Sequence, residues 1–73
     1  MNRTKDLYLA SFLYSQGLKL YDTERDGKTC WFIFDDEDNF KLLVGLYWAR
    51  EASCEPKSFV DAIQTLKDII YSQ

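Results

Sequence analysis

Histidine is absent from the 73-residue chain, and cysteine, glycine and proline are scarce, with two, three and one residues respectively. Without histidine, the chain lacks the commonest metal ligand and the commonest general base of enzymes. The two cysteines, Cys30 and Cys54, have no histidine to activate them, and their spacing matches no zinc or redox motif. We therefore predict a protein that is not an enzyme and that uses no cofactor or metal.

Long apolar runs are also missing from the sequence. No stretch approaches the roughly 18 apolar residues that a membrane-spanning helix needs, so no membrane association is predicted. Residues 1–6 lack the basic region, the apolar run and the small-residue cleavage site of a signal peptide. We therefore expect a cytoplasmic protein in which both cysteines stay reduced.

The charge balance is acidic, with a net charge of -3, which argues against nonspecific binding to a phosphate backbone. Hydrophobic residues make up 47% of the chain and aromatic residues 16%. A domain of this size buries only about 60% of the surface of its unfolded chain. The aromatic residues can therefore serve in two ways, by filling a small core or by staying outside to contact a partner.

The densest β-branched and aromatic content lies in residues 28–34, which we predict to form a strand. Alternation makes both faces of this strand apolar, so both faces need cover. Residues 18–23 predict a second strand. Asp26-Gly27 in the intervening turn, residues 24–28, is the strongest short-range signal for a β-hairpin.

Three helices are predicted around this hairpin, at residues 5–16, 39–50 and 56–71, from the spacing of apolar residues. The resulting order is helix, hairpin, helix, helix in a single domain, residues 1–73. The fold class is α+β with a two-stranded antiparallel sheet. A lone hairpin is marginal unless something covers it. We therefore also consider a homodimer in which the exposed edges of two hairpins pair.

The helix ends have recognisable signals in the sequence. Thr4 is a plausible N-cap of the first helix, and Gly17 suits its end. Four consecutive acids at residues 35–38 precede the second helix, where they fit capping and first-turn positions better than a metal site. Pro56 fits the first position of the third helix, which Glu55 or Ser53 would cap.

Several groups of residues agree with the pattern of a known family. They are Leu7-Tyr8-Leu9-Ala10-Ser11-Phe12-Leu13 with Gly17, then Phe32, Phe34 and Asp35 after the Gly27 turn, then Tyr47-Trp48, Pro56, Phe59, Ala62 and Leu66-Lys67-Asp68. From about residue 5 to 71, the chain resembles a domain-of-unknown-function family of small bacterial and phage proteins. The resemblance implies a prokaryotic or phage cytoplasm, and it carries over no activity and no site residue.

Protein binding is the function that these features favour. Tyr and Trp are enriched at interfaces, and acidic residues can border a surface that meets a basic partner. Independently of this function, Gly45 in the middle of the second helix is consistent with close packing against another backbone. The candidate contact residues are four aromatic and two acidic ones, namely Trp48, Tyr47, Tyr8, Tyr71, Asp36 and Glu37.

Nucleic-acid binding is the alternative. Single-strand binders combine a basic groove with exposed aromatic rings on which bases stack. The residues available for this role are basic ones near the N-terminus and the hairpin together with two tyrosines, namely Arg3, Lys5, Lys19, Arg25, Lys28, Tyr14 and Tyr21.

Overall fold

The computed structural model describes residues 2–72 of the chain, and within this range it contains three strands and three helices. The elements in chain order are β1 (Arg3–Thr4), α1 (Leu7–Ser15), β2 (Leu20–Asp26), β3 (Thr29–Phe34), α2 (Glu37–Trp48) and α3 (Pro56–Tyr71). The predicted α+β class is confirmed, and so are the predicted bounds of α3.

The sheet has three strands in the order β1-β3-β2, so the predicted two-stranded sheet was one strand short. In the added strand, Arg3 pairs with Ile33 and Thr4 with Phe32, both antiparallel. The backbone N–H of Phe34 extends this pairing by donating to the Asn2 carbonyl at 2.8 Å. A two-residue strand is too short to show the alternation that predicts a strand.

Strand β3 is therefore the centre of the sheet, with both of its edges paired. The edge of the hairpin that is left free is that of β2. This strand has exposed polar residues at most positions and an irregular register between Leu20 and Asp22. Charges and bulges at an edge discourage pairing with another chain. An edge-paired dimer would consequently have to form on this polar strand.

The hairpin turn is tighter than predicted. Asp26 pairs with Thr29, so only Gly27 and Lys28 connect the strands, and Gly27 has a φ of 60°. Two-residue hairpin loops favour such left-handed glycines. The predicted turn at residues 24–28 was too long because its polar residues were interpreted as the end of the strand. An edge strand with one solvent-exposed face can contain such polar residues.

Helix α1 occupies the middle of the molecule. Its residues Leu9 to Leu13 are buried in succession, as the broad apolar sector of the sequence predicts. Ser11 is the buried polar member, and its hydroxyl donates to the Leu7 carbonyl at 2.7 Å. The helix packs on α3, on α2 and against the start of the sheet. The other elements therefore pack around α1 and bury it.

The start of α1 differs from the prediction. Asp6 is the N-cap, and one of its carboxylate oxygens accepts from the backbone N–H groups of Tyr8 and Leu9 at 2.9 and 3.2 Å. Thr4 belongs to β1 instead, and its hydroxyl oxygen accepts from the backbone N–H of Asp6. Extended pairing of Thr4 with β3 moves the helix start two residues later than predicted.

The two faces of the sheet are unequal. Phe32 and Phe34 point to the helices and are buried. Leu66 of α3 joins them in the same core cluster. Trp31 and Ile33 lie on the opposite face and are half-buried. The prediction that β3 is apolar on both faces is confirmed, but the helices cover only one of them.

The acids before α2 act as capping residues, as predicted. Asp36 is the N-cap in a left-handed conformation, and Glu37 and Asp38 stand in the first turn. Helix α2 begins and ends two residues earlier than the predicted 39–50. At the start of α3, Glu55 is the cap, since its carboxylate accepts from the Ser58 N–H at 2.7 Å.

Candidate binding surface

Helix α2 contributes no fully buried residue, unlike α1 and α3. Its inner side packs against the core through partly buried residues, namely Phe40, Leu43, Val44 and Tyr47. Its outer side carries two large apolar residues in solvent, Leu42 at 60% exposure and Trp48 at 65%. We call the group Leu42, Gly45, Trp48 and Ala49 the α2 outer surface. The fold leaves this surface uncovered.

Gly45 lies midway between the two large residues, three positions from each. A Cβ added at this glycine would have no heavy atom within 4 Å, and its φ lies outside the left-handed range. Neither backbone conformation nor packing within the described chain therefore requires glycine. A mid-helix glycine nevertheless costs about 1 kcal/mol relative to alanine. The close backbone packing that the sequence suggested here is not made among residues 2–72.

The ring of Trp48 has a defined support. It contacts the Tyr47 ring edge-on, with centroids 5.2 Å apart and an interplanar angle of 89°. Tyr47 in turn lies against Phe12 of α1 at 5.8 Å. Burial, followed by the negative charge of Asp6, raises the pKa of Tyr47 above its ordinary value of 10.0. The tyrosine is thus neutral at physiological pH, and its uncharged ring supports that of Trp48.

Tyr8 borders this region from α1. It is 57% exposed and precedes Phe12 by one helical turn. Residues four apart lie on the same side of a helix, which places Tyr8 next to the ring that Tyr47 contacts. The structure therefore brings three of the predicted aromatic candidates, Trp48, Tyr47 and Tyr8, to the junction of α1 and α2.

The acidic candidates lie at the other end of α2. Trp48 follows Glu37 by eleven residues, which corresponds to about 16 Å along the axis. Glu37 pairs with Lys41 at 3.6 Å. Asp36 accepts from the Asn39 side-chain amide at 2.6 Å. These acids border the α2 outer surface at its far end and do not contact the aromatic residues.

Tyr71 is separated from this group by the fold. It is 80% exposed at the end of α3, next to the β-hairpin. There the Arg25 guanidinium donates to the Ile70 carbonyl at 3.0 Å, a favourable position for a cation near a helix C-terminus. Tyr71 thus lies beside β2 and not on the α2 outer surface.

Leu42 is an exposed residue that the sequence did not single out as a candidate contact. A signal for its exposure does exist in the sequence. At about 100° per residue, Leu42 lies far from the mean direction of Phe40, Leu43 and Tyr47, on the side that faces away from the core.

The basic residues do not gather into one groove. The Arg3 guanidinium lies 4.4 Å from the centroid of the Trp31 ring, and the Lys5 ammonium lies 5.8 Å from it. Arg3 also pairs with Glu24 at 3.5 Å. Arg25 is engaged at the end of α3, and Lys28 occupies the hairpin turn. Within the described part of the chain, Arg3 and Lys5 are the two basic residues that approach one aromatic ring.

Sites for chemistry are not apparent in the described part of the chain. No cluster of three or more His, Cys, Asp or Glu that could hold a metal occurs in residues 2–72. Cys30 and Cys54 are free, half-buried thiols. An open groove of about 520 Å³ beside β2 is lined mainly by apolar and tyrosine side chains, with Lys19 as its one charged residue. None of the described helices is long and apolar enough to cross a membrane.

Comparison with known proteins gives one match. A family model described as Domain of unknown function (DUF5659) matches residues 2–72. Neither the comparison with curated proteins nor that with solved structures found a match.

Proposed function

The chain belongs to the DUF5659 family, and we propose that it is a small, non-enzymatic protein-binding module that uses the α2 outer surface. One observation carries this proposal. Leu42 and Trp48 stay 60% and 65% exposed on either side of Gly45, whose outer side is empty. A stable fold gains nothing from this arrangement, whereas a partner that covers it gains apolar contact.

The shape of the surface favours a protein segment as the occupant. Two large apolar side chains flank a position without a side chain, so a partner backbone can approach α2 closely there. Trp is one of the residue types enriched in binding hot spots. The Trp48 ring already contacts Tyr47 edge-on, and a side chain that is ordered before binding loses less conformational freedom when a partner covers it.

Charge defines the partner further. Residues 35–38 are all acidic and lie at the N-terminal end of the same helix. A partner helix that lies along α2 would place apolar residues against Leu42 and Trp48 and a lysine or arginine near these acids. We place this interaction in a bacterial or phage cytoplasm, where the module would regulate the protein that it covers.

Affinity capture from a host lysate with matched variants tests the proposal. The tagged wild-type chain is compared with Trp48→Ala, with Gly45→Ala and with Val60→Ala, which removes a 59% exposed apolar residue from α3 instead. We expect a protein that is retained by the wild type and Val60→Ala and is depleted by both α2 variants. The same proteins captured by all four chains would overturn the proposal.

A nuclease arm of this experiment addresses nucleic-acid binding, the alternative function. The observation in its favour is the placement of Arg3 and Lys5 around the Trp31 ring. Acidic residues of β2 on the same side of the sheet oppose it. Capture that disappears after nuclease treatment would favour this alternative, and capture that persists would favour the protein partner.

A further inference from the structure

The outer side of the sheet faces away from all three helices. Residues directly opposite each other on neighbouring strands share a face, and alternate residues along a strand point to opposite sides. Phe32 and Phe34 define the inner, buried face. The pairing then assigns the outer sheet face to Arg3, Asp22, Glu24, Asp26, Thr29, Trp31 and Ile33.

Charge is divided across this face by strand. The edge strand β2 presents three acids, Asp22, Glu24 and Asp26, in one row. The opposite side carries Arg3 of β1, and Lys5 just after it approaches the same ring. The two sides are joined by one pair, Arg3 with Glu24, whose side chains are 40% and 52% exposed. Asp22 and Asp26 lie outside this pair.

The middle of the face is apolar. Trp31 and Ile33 of β3 lie between the acidic row and the basic side, and both are only half-buried. A face with an apolar strip between an acidic and a basic border is complementary to the same face of a second copy. Rotation by 180° about an axis parallel to the strands places the acidic border of one copy over the basic border of the other.

We propose that this face binds a second copy of the chain, as a symmetric dimer with the two outer sheet faces packed together. Asp22 and Asp26 of each copy then meet Arg3 and Lys5 of the other. The contact also covers Ile33 and the part of Trp31 that the Arg3 guanidinium of the same chain leaves exposed. This arrangement leaves the bulged and polar edge of β2 unpaired. It supplies the second cover that a strand with two apolar faces needs.

The size of the face sets the strength of the dimer. The two long strands have seven and six residues and β1 has two, so the face spans at most roughly 15 by 20 Å and buries about 600 Å² over both copies, less than most specific protein contacts. We expect a weak dimer with a dissociation constant of about 0.1 mM and a strong salt dependence, because charge pairs at a rim are screened. Raising the salt should weaken the dimer by about tenfold.

Sedimentation velocity from about 10 μM to about 1 mM tests the proposal. The wild type should shift from the 8.6 kDa species to one of twice that mass. Asp26→Lys makes one charge-reversed chain, and Lys5→Glu makes its counterpart. We expect each reversed chain alone to dimerise at least about tenfold more weakly than the wild type, and an equimolar mixture to restore the dimer.

A folding control and one further variant keep the result interpretable. Circular dichroism melts must show that the reversed chains fold, and the substitutions avoid Arg3 and Glu24 so that their pair is kept. Trp48→Ala should dimerise like the wild type, because it changes only the α2 outer surface. A wild type that stays monomeric at 1 mM, or a dimer unaffected by charge reversal, would overturn the proposal whatever the result for α2.

Discussion

Single residues show most clearly which features serve the fold and which do not. All three glycines have open space where a Cβ would be added. Gly17 and Gly27 have φ values of 92° and 60°, which L-residues rarely adopt, whereas Gly45 has no such value. Backbone conformation therefore explains two of the glycines and leaves the third without a role in the folded monomer.

Gly45→Ala is expected to stabilise the fold. The substitution removes the entropic cost of a mid-helix glycine and meets no neighbouring atom, so the gain should be about 0.5 to 1 kcal/mol. In a domain of this size, the melting temperature should rise by a few degrees. Thermal denaturation measures this, with Gly17→Ala as the control of opposite sign. A lower melting temperature for Gly45→Ala would contradict the open environment described.

Glu55 gives a prediction about pH. The Ser58 and Lys57 backbone N–H groups and the Ser58 hydroxyl donate to its carboxylate, which lowers the pKa of Glu55 below its ordinary value of 4.5. A lowered pKa means that the charged form stabilises the fold above pH 4.5. That stabilisation is lost as the pH falls below this value through the lowered pKa.

Glu55→Gln tests this assignment, because it keeps an acceptor oxygen and removes the charge. Above pH 4.5 the wild type should melt at a higher temperature than the variant, and the difference should shrink on acidification. Melting curves at several pH values measure it. A difference that stays constant from pH 7 to pH 3 would remove the role of the Glu55 charge as a helix cap.

The helices α1 and α2 end in the same motif with different residues. In α1, the N–H of Gly17 bonds the Tyr14 carbonyl and that of Leu18 bonds the Leu13 carbonyl. In α2, Arg50 and Glu51 make the equivalent bonds to the carbonyls of Tyr47 and Leu46. Both are Schellman ends, which need a left-handed residue after the C-cap. Arg50 meets this need with a φ of 61°.

Arg50→Gly should therefore stabilise the protein. A non-glycine residue pays about 1 to 2 kcal/mol for the left-handed conformation, and the greater freedom of glycine in the unfolded chain offsets part of the gain. We expect a net increase of about 0.5 to 1 kcal/mol in the free energy of unfolding. Urea denaturation measures it. Loss of stability would mean that the Arg50 side chain makes a contact worth more than the strain.

The sequence predicted the elements that carry strong periodicity. Helix α3 has a clear amphipathic pattern between Pro56 and Tyr71, and both bounds were correct. The hairpin was found through Asp26-Gly27, although its turn proved tighter. Strand β1 left no signal, because Arg3 and Thr4 are extended only by pairing with β3. The pattern of neighbouring residues in the sequence does not reveal pairing between segments that are distant in the chain.

The candidate surface was predictable in part. Trp48 was named from its residue type and its position beside Tyr47, and its exposure agrees with a contact role. The tilted packing of Tyr47 on Phe12 and the emptiness around Gly45 depend on how α1 and α2 cross. Crossing geometry depends on side chains from two distant segments, so no single stretch of sequence specifies it.

The whole molecule rests on a small core that is arranged around α1. Among residues 2–72, nine hydrophobic residues are buried, and one of them, Leu66, is fully inaccessible. A domain of this length is expected to have a stability of roughly 4 to 11 kcal/mol. Loss of one large core side chain is thus a substantial fraction of the total, whereas an exposed apolar side chain contributes little.

Leu66→Ala and Trp48→Ala should therefore differ sharply. We expect Leu66→Ala to lose about 2 to 5 kcal/mol, because it leaves a cavity beside α1. Trp48→Ala should lose about 1 kcal/mol or less, the value of its ring contact with Tyr47. Equilibrium urea unfolding of both variants measures this. Equal losses would place Trp48 among the residues that hold the fold together.

Binding by the α2 outer surface is tested best by the affinity of Gly45→Ala for a partner captured as described above, titrated beside the wild type. The variant should fold at least as stably as the wild type and yet bind about tenfold more weakly or worse, a loss of 1.4 kcal/mol, because the added methyl group fills the position that the partner approaches. Equal affinity of the two chains would show that the partner does not cover Gly45 and would contradict the assignment of this surface.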